Sequence, residues 1–302
     1  MSYAKGHGAK LYYEDSGRGV PIIFVHEFGG DLRSWEMQVR HFARRYRCIT
    51  FNARGYPPSD VPTDVKLYSQ EIATNDIIAV MDHLKLEKAH VVGISMGAYA
   101  TVHFGLRYAS RALSLTAVAL GYGSQPHVRD KFRADSATLA DEIEKLGAEK
   151  FAEGYALGPY RLQLKQKDER SWLEFKRMLA EHSAAGTAQT MRGVQKERPG
   201  LYELEADLRK LAVPLMIVAG DEDDWCLETD LWLKQIVPSA GLLVLPKTGH
   251  TVNLEEPDFF NSHLQYFLTT VERGAWPLRN PATIADSALM AWKNPHPSNI
   301  DL

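Results

Sequence analysis

Short apolar runs alternate with amphipathic segments along the first 120 residues of the chain. Continuous runs at residues 20–26, 47–51, 90–94 and 113–120 predict strands buried on both faces, and residues 10–15 predict a further strand. Apolar positions at helical spacing predict helices over residues 31–46, 69–84 and from the Gly-Ile-Ser-Met-Gly stretch to residue 108. This alternation is typical of a mostly parallel central sheet with helices on both faces, the α/β class.

The alternation stops at residue 124 and returns near residue 213. Between these points the sequence is charged and helical, with candidate helices at 129–146, 149–157, 171–181 and 186–196. Strands resume at 213–219 and 241–245, and a helix starts at Pro257, a residue favoured at the first helical position. We therefore predict an α/β core at residues 1–123 and 211–273, with an all-helical cap at 124–210 inserted into it.

Residues 274–302 form a proline-containing tail with one short helical candidate at 283–292. Two interpretations stay open: the tail wraps its own body, or it packs on a second subunit. A homodimer formed through the tail or the cap belongs to the second interpretation.

The sequence Gly-Ile-Ser-Met-Gly at residues 93–97 joins a predicted buried strand to a predicted helix. In that context the motif predicts a nucleophile elbow, a sharp turn that presents the Ser95 hydroxyl at the carboxyl edge of the sheet. The glycines let strand and helix approach closely, and the backbone N–H of Met96 lies on the same side as the hydroxyl. Ser95 is the candidate nucleophile.

A serine hydroxyl needs a base within hydrogen-bond reach, and that base needs an orienting acid. His250 follows the last predicted strand and lies on a loop at the same sheet edge. The loop at residues 220–224, after the preceding strand, contains four carboxylates. Its spacing from the strand favours Asp223 as the acid, with Asp221 as the alternative.

The oxyanion hole should combine the Met96 N–H with an N–H from the loop that follows the strand at 20–26. Phe28 is the candidate donor by its position in that loop. His26, at the start of the same loop, is expected to shape it through hydrogen bonds.

Composition narrows the class of protein and of partner. The chain has 302 residues, 45% hydrophobic and 24% charged, which is typical of a globular protein. A net charge of −3 without a long basic run argues against nucleic acid or an anionic membrane as the partner. No apolar stretch approaches 18 residues, no signal peptide is recognised, and two cysteines give no disulfide framework. We expect a cytoplasmic protein with reduced thiols, a small-molecule substrate, no cofactor and no metal.

The motifs in this order resemble the α/β-hydrolase superfamily, in its esterase-like branch with a helical cap. They are His-Glu-Phe-Gly-Gly at 26–30, Asn-Ala-Arg-Gly-Tyr at 52–56 with Ser59, Gly-Ile-Ser-Met-Gly at 93–97, Gly220 with Asp223, and Gly249-His250. The resemblance implies the α/β-hydrolase fold and a triad of Ser95, Asp223 and His250. It also implies an oxyanion hole formed by the backbones of Phe28 and Met96.

Two residues depart from the family pattern. Glu27 stands where the family usually has glycine, so a carboxylate lies beside the expected oxyanion site. It either turns to solvent or holds a residue of a lid or of the substrate. Asn52 replaces a common acid, from which we expect only a local rearrangement of hydrogen bonds.

The cap should cover Ser95 and supply much of the substrate pocket. The candidate substrate-binding residues are Glu27, Tyr122, Tyr155, Trp172 and Trp225, with Phe28, Met96, Phe132, Tyr160 and Met191 as further pocket candidates. Their apolar and aromatic character favours a small apolar or aromatic ester. Arg129, Arg161 or Arg192 could instead pair with a substrate carboxylate.

The leading hypothesis is a carboxylic ester hydrolase that works through an acyl-enzyme intermediate. The alternatives are a hydrolase of C–C bonds in ring-cleavage products, a cofactor-free perhydrolase or haloperoxidase-like enzyme, and a ligand receptor that retains the triad. A carboxylate clamp in the pocket would favour C–C hydrolysis.

Overall fold

The central sheet of the protein has eight strands. The structure, a computed structural model, describes residues 2–283. The strands are β1 (Ser2–Gly6), β2 (Ala9–Gly17), β3 (Pro21–Val25), β4 (Arg47–Phe51), β5 (Ala89–Ile94), β6 (Ala112–Val118), β7 (Leu215–Gly220) and β8 (Ala240–Leu245). Their order is β1-β2-β4-β3-β5-β6-β7-β8; the β1–β2 and β2–β4 pairs are antiparallel, and the remaining pairs are parallel. The predicted mostly parallel sheet is confirmed.

Eleven α-helices lie in the described residues. They are α1 (Glu36–Phe42), α2 (Gln70–His83), α3 (Met96–Arg107), α4 (Arg129–Tyr155), α5 (Leu162–Lys167), α6 (Glu169–Ala180), α7 (Ala184–Thr190), α8 (Glu205–Leu208), α9 (Asp224–Ile236), α10 (Val252–Glu255) and α11 (Pro257–Glu272). None of them is both long and apolar enough to cross a membrane.

The sheet is covered on both faces, as its continuous apolar strands require. Alternate residues of β3 enter two different cores, because successive side chains of a strand point to opposite faces. Ile23 lies in a core with residues of α2, α3 and α9, whereas Ile22 lies in a core with residues of α1 and α11. The predicted arrangement of helices on both faces is confirmed.

Helices α4 to α8 lie between β6 and β7, where the charged helical segment was predicted. Residues of α4 to α7 form a third apolar cluster, which also includes Phe28 from the loop after β3 and Met96 at the start of α3. The two helices predicted at 129–146 and 149–157 are joined in α4 across Gly147, whose φ of 78° interrupts the helical backbone. The division of the chain into a core and a cap domain stays a prediction.

Several boundaries differ from the sequence-based expectations. Residues 31–46 form a 3₁₀ turn at Leu32–Trp35, capped by Asp31, followed by the short helix α1. Strand β1 and helix α5 were not predicted, because each is short and carries few apolar residues.

The first part of the tail packs on the core. The Nε1 atom of Trp276 donates a hydrogen bond to the Ser239 carbonyl at 2.8 Å, and its ring lies 4.7 Å from that of Phe267. Apart from Thr283, the helical candidate at 283–292 lies outside the described residues. The homodimer stays a prediction.

Candidate active site

Ser95 sits between β5 and α3 in a conformation that non-glycine residues seldom adopt. Its φ is 52° and its ψ is −113°, and its N–H donates to the Val118 carbonyl at 2.8 Å. A Cβ atom on Gly93 would lie 2.2 Å from the Gly97 oxygen, and one on Gly97 would lie 2.2 Å from the Val25 oxygen. Both positions therefore require glycine, and the strained turn has the geometry of a nucleophile elbow.

A buried carboxylate–histidine pair lies on the loops after β7 and β8. The Nδ1 atom of His250 is 2.7 Å from Oδ2 of Asp223, and both side chains are buried. Because the carboxylate accepts, Nδ1 donates, and Nε2 is left for another partner. Asp221 instead accepts the Thr248 N–H at 3.2 Å. The geometry thus pairs the histidine with Asp223 rather than with the alternative acid.

Glu255, which the sequence analysis missed, fixes the loop that carries His250. Its buried carboxylate accepts the N–H groups of Gly249 at 2.7 Å and Thr251 at 3.0 Å, one on each side of the histidine. No spacing rule identifies this residue, because it acts on a loop from a short helix, α10, that follows it.

The loop after β3 is held by its own histidine. His26 Nε2 accepts the Ala53 N–H at 3.0 Å, so its Nδ1 carries the proton and donates to the Glu27 carbonyl at 2.7 Å. Burial lowers the pKa of His26, which favours this neutral form. The Phe28 carbonyl accepts the Tyr56 hydroxyl at 2.9 Å. The predicted structural role of His26 is confirmed.

Asn52 uses both ends of its amide. Its Oδ1 accepts the Leu32 N–H at 2.9 Å, and its Nδ2 donates to the Pro57 carbonyl at 2.7 Å. An ionised aspartate could supply only the first of these bonds, since it has no donor. The replacement therefore has the local effect that was predicted.

Glu27 does not turn to solvent, so the first of the two alternatives given for it is wrong. Its side chain is buried and forms an ion pair with Arg161, which is also buried. The guanidinium lies over the rings of Tyr155, at 5.2 Å, and Phe175, at 4.5 Å. The carboxylate beside the candidate oxyanion loop is thus neutralised by a cation from the helical segment between β6 and β7.

Ser95 and His250 line one cavity of about 220 Å³. Its other lining residues are mostly apolar or aromatic: Phe28, Tyr122, Phe132, Asp135, Ser136, Leu139, Tyr155, Tyr160, Met191 and Gln195. Asp135 is half-exposed and pairs with Lys131 at 2.6 Å, which places a neutralised carboxylate at this wall. The cavity therefore suits a mainly apolar ligand.

Tyr122 and Tyr155 line the cavity, but the other predicted substrate-binding residues do not. Trp172 is buried away from it and donates Nε1–H to the Ala156 carbonyl at 2.7 Å. Trp225 lies behind Tyr160, with ring centroids 4.8 Å apart, and is partly exposed. Glu27 is occupied by Arg161. Met96 is buried beside Ser95 without lining the cavity. These positions are corrections to the predicted pocket.

The three arginines proposed for a carboxylate clamp are engaged elsewhere. Arg161 pairs with Glu27, and Arg192 pairs with two exposed acids of α4 at 2.7 and 2.8 Å. Arg129 donates to the carbonyls of Gly123 and Arg198. The described residues that line the cavity include neither lysine nor arginine.

Asp223, Cys226 and His250 bring three metal-ligand atoms within 4.8 Å of one another. The Cys226 sulfur is 4.0 Å from the histidine Nδ1, which is already bonded to Asp223. Burial raises the pKa of the Cys226 thiol well above its ordinary value, so the thiolate needed by a metal is disfavoured. The absence of a metal and of a cofactor stays a prediction.

Similarity to known proteins covers most of the chain. The family profile described as the alpha/beta hydrolase fold matches residues 20–257. A putative 2-succinyl-6-hydroxy-2,4-cyclohexadiene-1-carboxylate synthase of Bacillus subtilis is 25% identical over 253 residues, which cover 83% of this chain and 90% of that protein. The 3-oxoadipate enol-lactonase 1 of Acinetobacter baylyi is 26% identical over 257 residues, which cover 83% and 89%.

Among solved structures, a thermophilic esterase from Thermogutta terrifontis matches with a TM-score of 0.78. The match covers 87% of this chain and 94% of that one at 24% identity, which shows a likeness of fold. The profile match over residues 20–257 shows the family, and the elbow between β5 and α3 agrees with it. The chain belongs to the alpha/beta-hydrolase fold family of enzymes.

Proposed function

We propose that the protein is a serine hydrolase that cleaves a small, uncharged apolar or aromatic carboxylic ester through an acyl-enzyme intermediate. The observation that supports it most is the buried Asp223–His250 pair, with its histidine lining the same cavity as the strained Ser95. The similarity to an enol-lactonase, whose name denotes hydrolysis of a cyclic ester, agrees with this bond type.

In the proposed reaction, His250 Nε2 removes the proton of the Ser95 hydroxyl as the serine oxygen attacks the ester carbonyl. Asp223 stabilises the imidazolium that forms. The N–H groups of Met96 and Phe28 stabilise the oxyanion; the Met96 N–H is available because the first N–H groups of a helix have no intrahelical acceptor. The histidine then protonates the leaving alcohol and later activates a water that releases the acid.

The cavity wall favours an uncharged substrate. Burying a substrate carboxylate requires a paired cation, and the described lining residues offer none. The wall instead presents aromatic rings from the loop after β6 and from the helical segment that follows, which acts in this proposal as the cap. This argues for an ester and against the carboxylate-bearing substrates of C–C hydrolysis.

Cytoplasmic localisation is part of the proposal. Its support is that Cys48 and Cys226 are both free and buried, the arrangement expected of reduced structural thiols.

The test is a series of p-nitrophenyl esters, from acetate to octanoate, and an uncharged lactone, assayed with the wild-type protein and Ser95→Ala. A turnover that the substitution abolishes supports the proposal. Ser136→Ala is the matched control, because this serine also lines the cavity but its hydroxyl donates to the Phe132 carbonyl at 2.7 Å. Ester turnover that survives Ser95→Ala, or its absence from the wild type, would contradict the proposal.

A further inference from the structure

A buried ion pair connects the loop after β3 to the helical segment between β6 and β7. The carboxylate of Glu27 and the guanidinium of Arg161 are 134 positions apart in the chain, and both side chains are almost fully excluded from water. Glu27 immediately precedes Phe28, whose N–H is the proposed second oxyanion donor. The pair is therefore one residue away from the proposed chemistry.

The Arg161 guanidinium also lies close to Gly29, the residue that follows Phe28. A Cβ atom on Gly29 would lie 3.1 Å from Arg161 Nη2 and 2.8 Å from a ring carbon of Tyr155. The Phe28 and Tyr155 rings pack edge to face with centroids 6.2 Å apart. Arg161 thus lies against the residues before and after the proposed donor, where it limits the movement of that backbone.

The residue before Arg161 reaches the other half of the site. The Tyr160 ring lies over His250, with centroids 4.5 Å apart, and its buried hydroxyl has no hydrogen-bond partner among the described residues. Two consecutive residues of the helical segment therefore contact the proposed oxyanion loop and the proposed base. Fixing one of them restrains the other.

Stability alone does not explain a pair of this kind. Removing two charges from water is costly, and apolar residues often replace a buried ion pair without loss of stability. What the pair does provide is a fixed orientation, because the guanidinium is held between two aromatic rings and bonded to one carboxylate. It also neutralises a carboxylate that would otherwise repel the oxyanion.

We propose that Arg161 is a positioning residue of the active site: through Glu27 it fixes the backbone N–H of Phe28, and through Tyr160 it fixes the wall over His250. The inference rests on the proposed ester hydrolysis, since it concerns the same site. Arg161 contacts the reacting atoms only through other residues, so replacing it should change kcat much more than KM.

The experiment compares Arg161→Gln, Glu27→Gln and the double variant Glu27→Met/Arg161→Met with the wild type. The double variant leaves no unpaired buried charge, so it stays informative if the single variants fail to fold. The matched control is Glu181→Gln, which breaks another contact between core and helical segment, the exposed Arg33–Glu181 pair. Readouts are kcat, KM, the thermal midpoint and the affinity for a trifluoromethyl ketone, whose hemiketal with the Ser95 oxygen would place an oxyanion in the hole.

We expect the folded variants to lose about 10- to 100-fold in kcat, because a misplacement of about 1 Å can cost roughly a hundredfold, somewhat less than complete removal of an oxyanion donor. Affinity for the trifluoromethyl ketone should fall in parallel, with KM within about threefold of wild type and the control unchanged. A stable double variant with wild-type kcat and inhibitor affinity would overturn the inference while leaving ester hydrolysis intact. If the wild type cleaves no ester, the proposed ester hydrolysis is wrong. The inference is then decided by the rate at which a fluorophosphonate labels Ser95, because an unchanged rate in the double variant overturns it.

Discussion

His250 and Asp223 are joined by a hydrogen bond of 2.7 Å between Nδ1 and Oδ2, although they are 27 positions apart in the chain, with α9 and β8 between them. The two loops meet because β7 and β8 are parallel neighbours, so their carboxyl ends share one edge. Asp223 also precedes the first residue of α9, and its buried Oδ1 has no hydrogen-bond partner among the described residues. The hydrogen bond to His250 is thus the interaction that orients this carboxylate.

Because Asp223 orients His250 through this bond, we predict a large effect of Asp223→Asn. An amide can donate to Nδ1, which favours the wrong imidazole tautomer, so we expect kcat to fall about 10⁴-fold with the fold intact. Asp224→Asn is the matched control, because Asp224 is the next residue but is exposed. Ester hydrolysis rates and circular dichroism spectra of both variants check the prediction. A fall of less than tenfold for the first variant would assign the acid elsewhere.

A second prediction concerns the elbow glycines. The Cβ of Gly97→Ala would meet the Val25 oxygen at 2.2 Å, a contact that forces the backbone of β3 and α3 apart. We expect a loss of about 3 kcal/mol or more in the free energy of unfolding, or no folded protein, since overpacking at a backbone contact has no flexible side chain to relieve it. Urea unfolding measures the change.

The control for this prediction is Gly154→Ala in α4, where a Cβ would meet nothing within 4 Å. There alanine should stabilise the protein by about 0.5–1 kcal/mol, because glycine is the weaker helix former. Equal effects of the two substitutions would show that the close approach at the elbow is not the constraint.

The sequence predicts that Ser95, Asp223 and His250 lie at one edge of the sheet, and the structure has them there for a physical reason. A buried parallel strand is a continuous apolar run, and the turn after it must contain glycine where backbones touch. Both features can therefore be recognised from neighbouring residues in the sequence. The order of strands then places their carboxyl ends together. Strand β4 was predicted with the residues that the structure shows, Arg47–Phe51.

The partners of the site could not be found this way. The role of Glu255 and the pairing of Arg161 with Glu27 are identified only by contacts that the folded chain creates, and the sequences around Glu255 and Arg161 resemble ordinary helix ends. The same holds for Trp172 and Trp225, because hydropathy does not say whether an aromatic residue of a helix is buried, as Trp172 is, or partly exposed, as Trp225 is. Local patterns thus specify the frame and the candidate reacting groups, whereas the contacts that restrain these groups depend on tertiary packing.

A third prediction follows from His90 in the elbow strand. Burial lowers the pKa of His90 to about 4, and its Nδ1 is 2.7 Å from the Ser114 hydroxyl oxygen. Because the folded pKa lies below the unfolded value of about 6.5, the unfolded state binds the proton first as pH falls. Stability is therefore complete above about pH 6.5 and is lost down to about pH 4.

For this single group the loss at pH 5 should be about 2 kcal/mol relative to pH 8. His90→Asn should flatten the dependence of the unfolding free energy on pH over this range, while His41→Asn, at an exposed site on α1, should not. Urea unfolding at pH 8, 6 and 5 provides the measurement. A slope that His90→Asn leaves unchanged would assign the acid sensitivity to other groups.

The last prediction concerns the size of the substrate. Leu139 and Met191 line the cavity from the proposed cap, so Leu139→Ala or Met191→Ala should extend it by about three methylene-sized groups. We expect the preferred chain of an acyl or an alcohol series to lengthen by two or three carbons. Each added carbon should gain up to about fourfold in relative kcat/KM, as about 0.8 kcal/mol per buried methylene implies. Leu157→Ala, at an exposed site in the same segment, is the control. If both cavity variants keep the wild-type dependence of kcat/KM on chain length, in the acyl and in the alcohol series, then the substrate chain does not occupy this cavity.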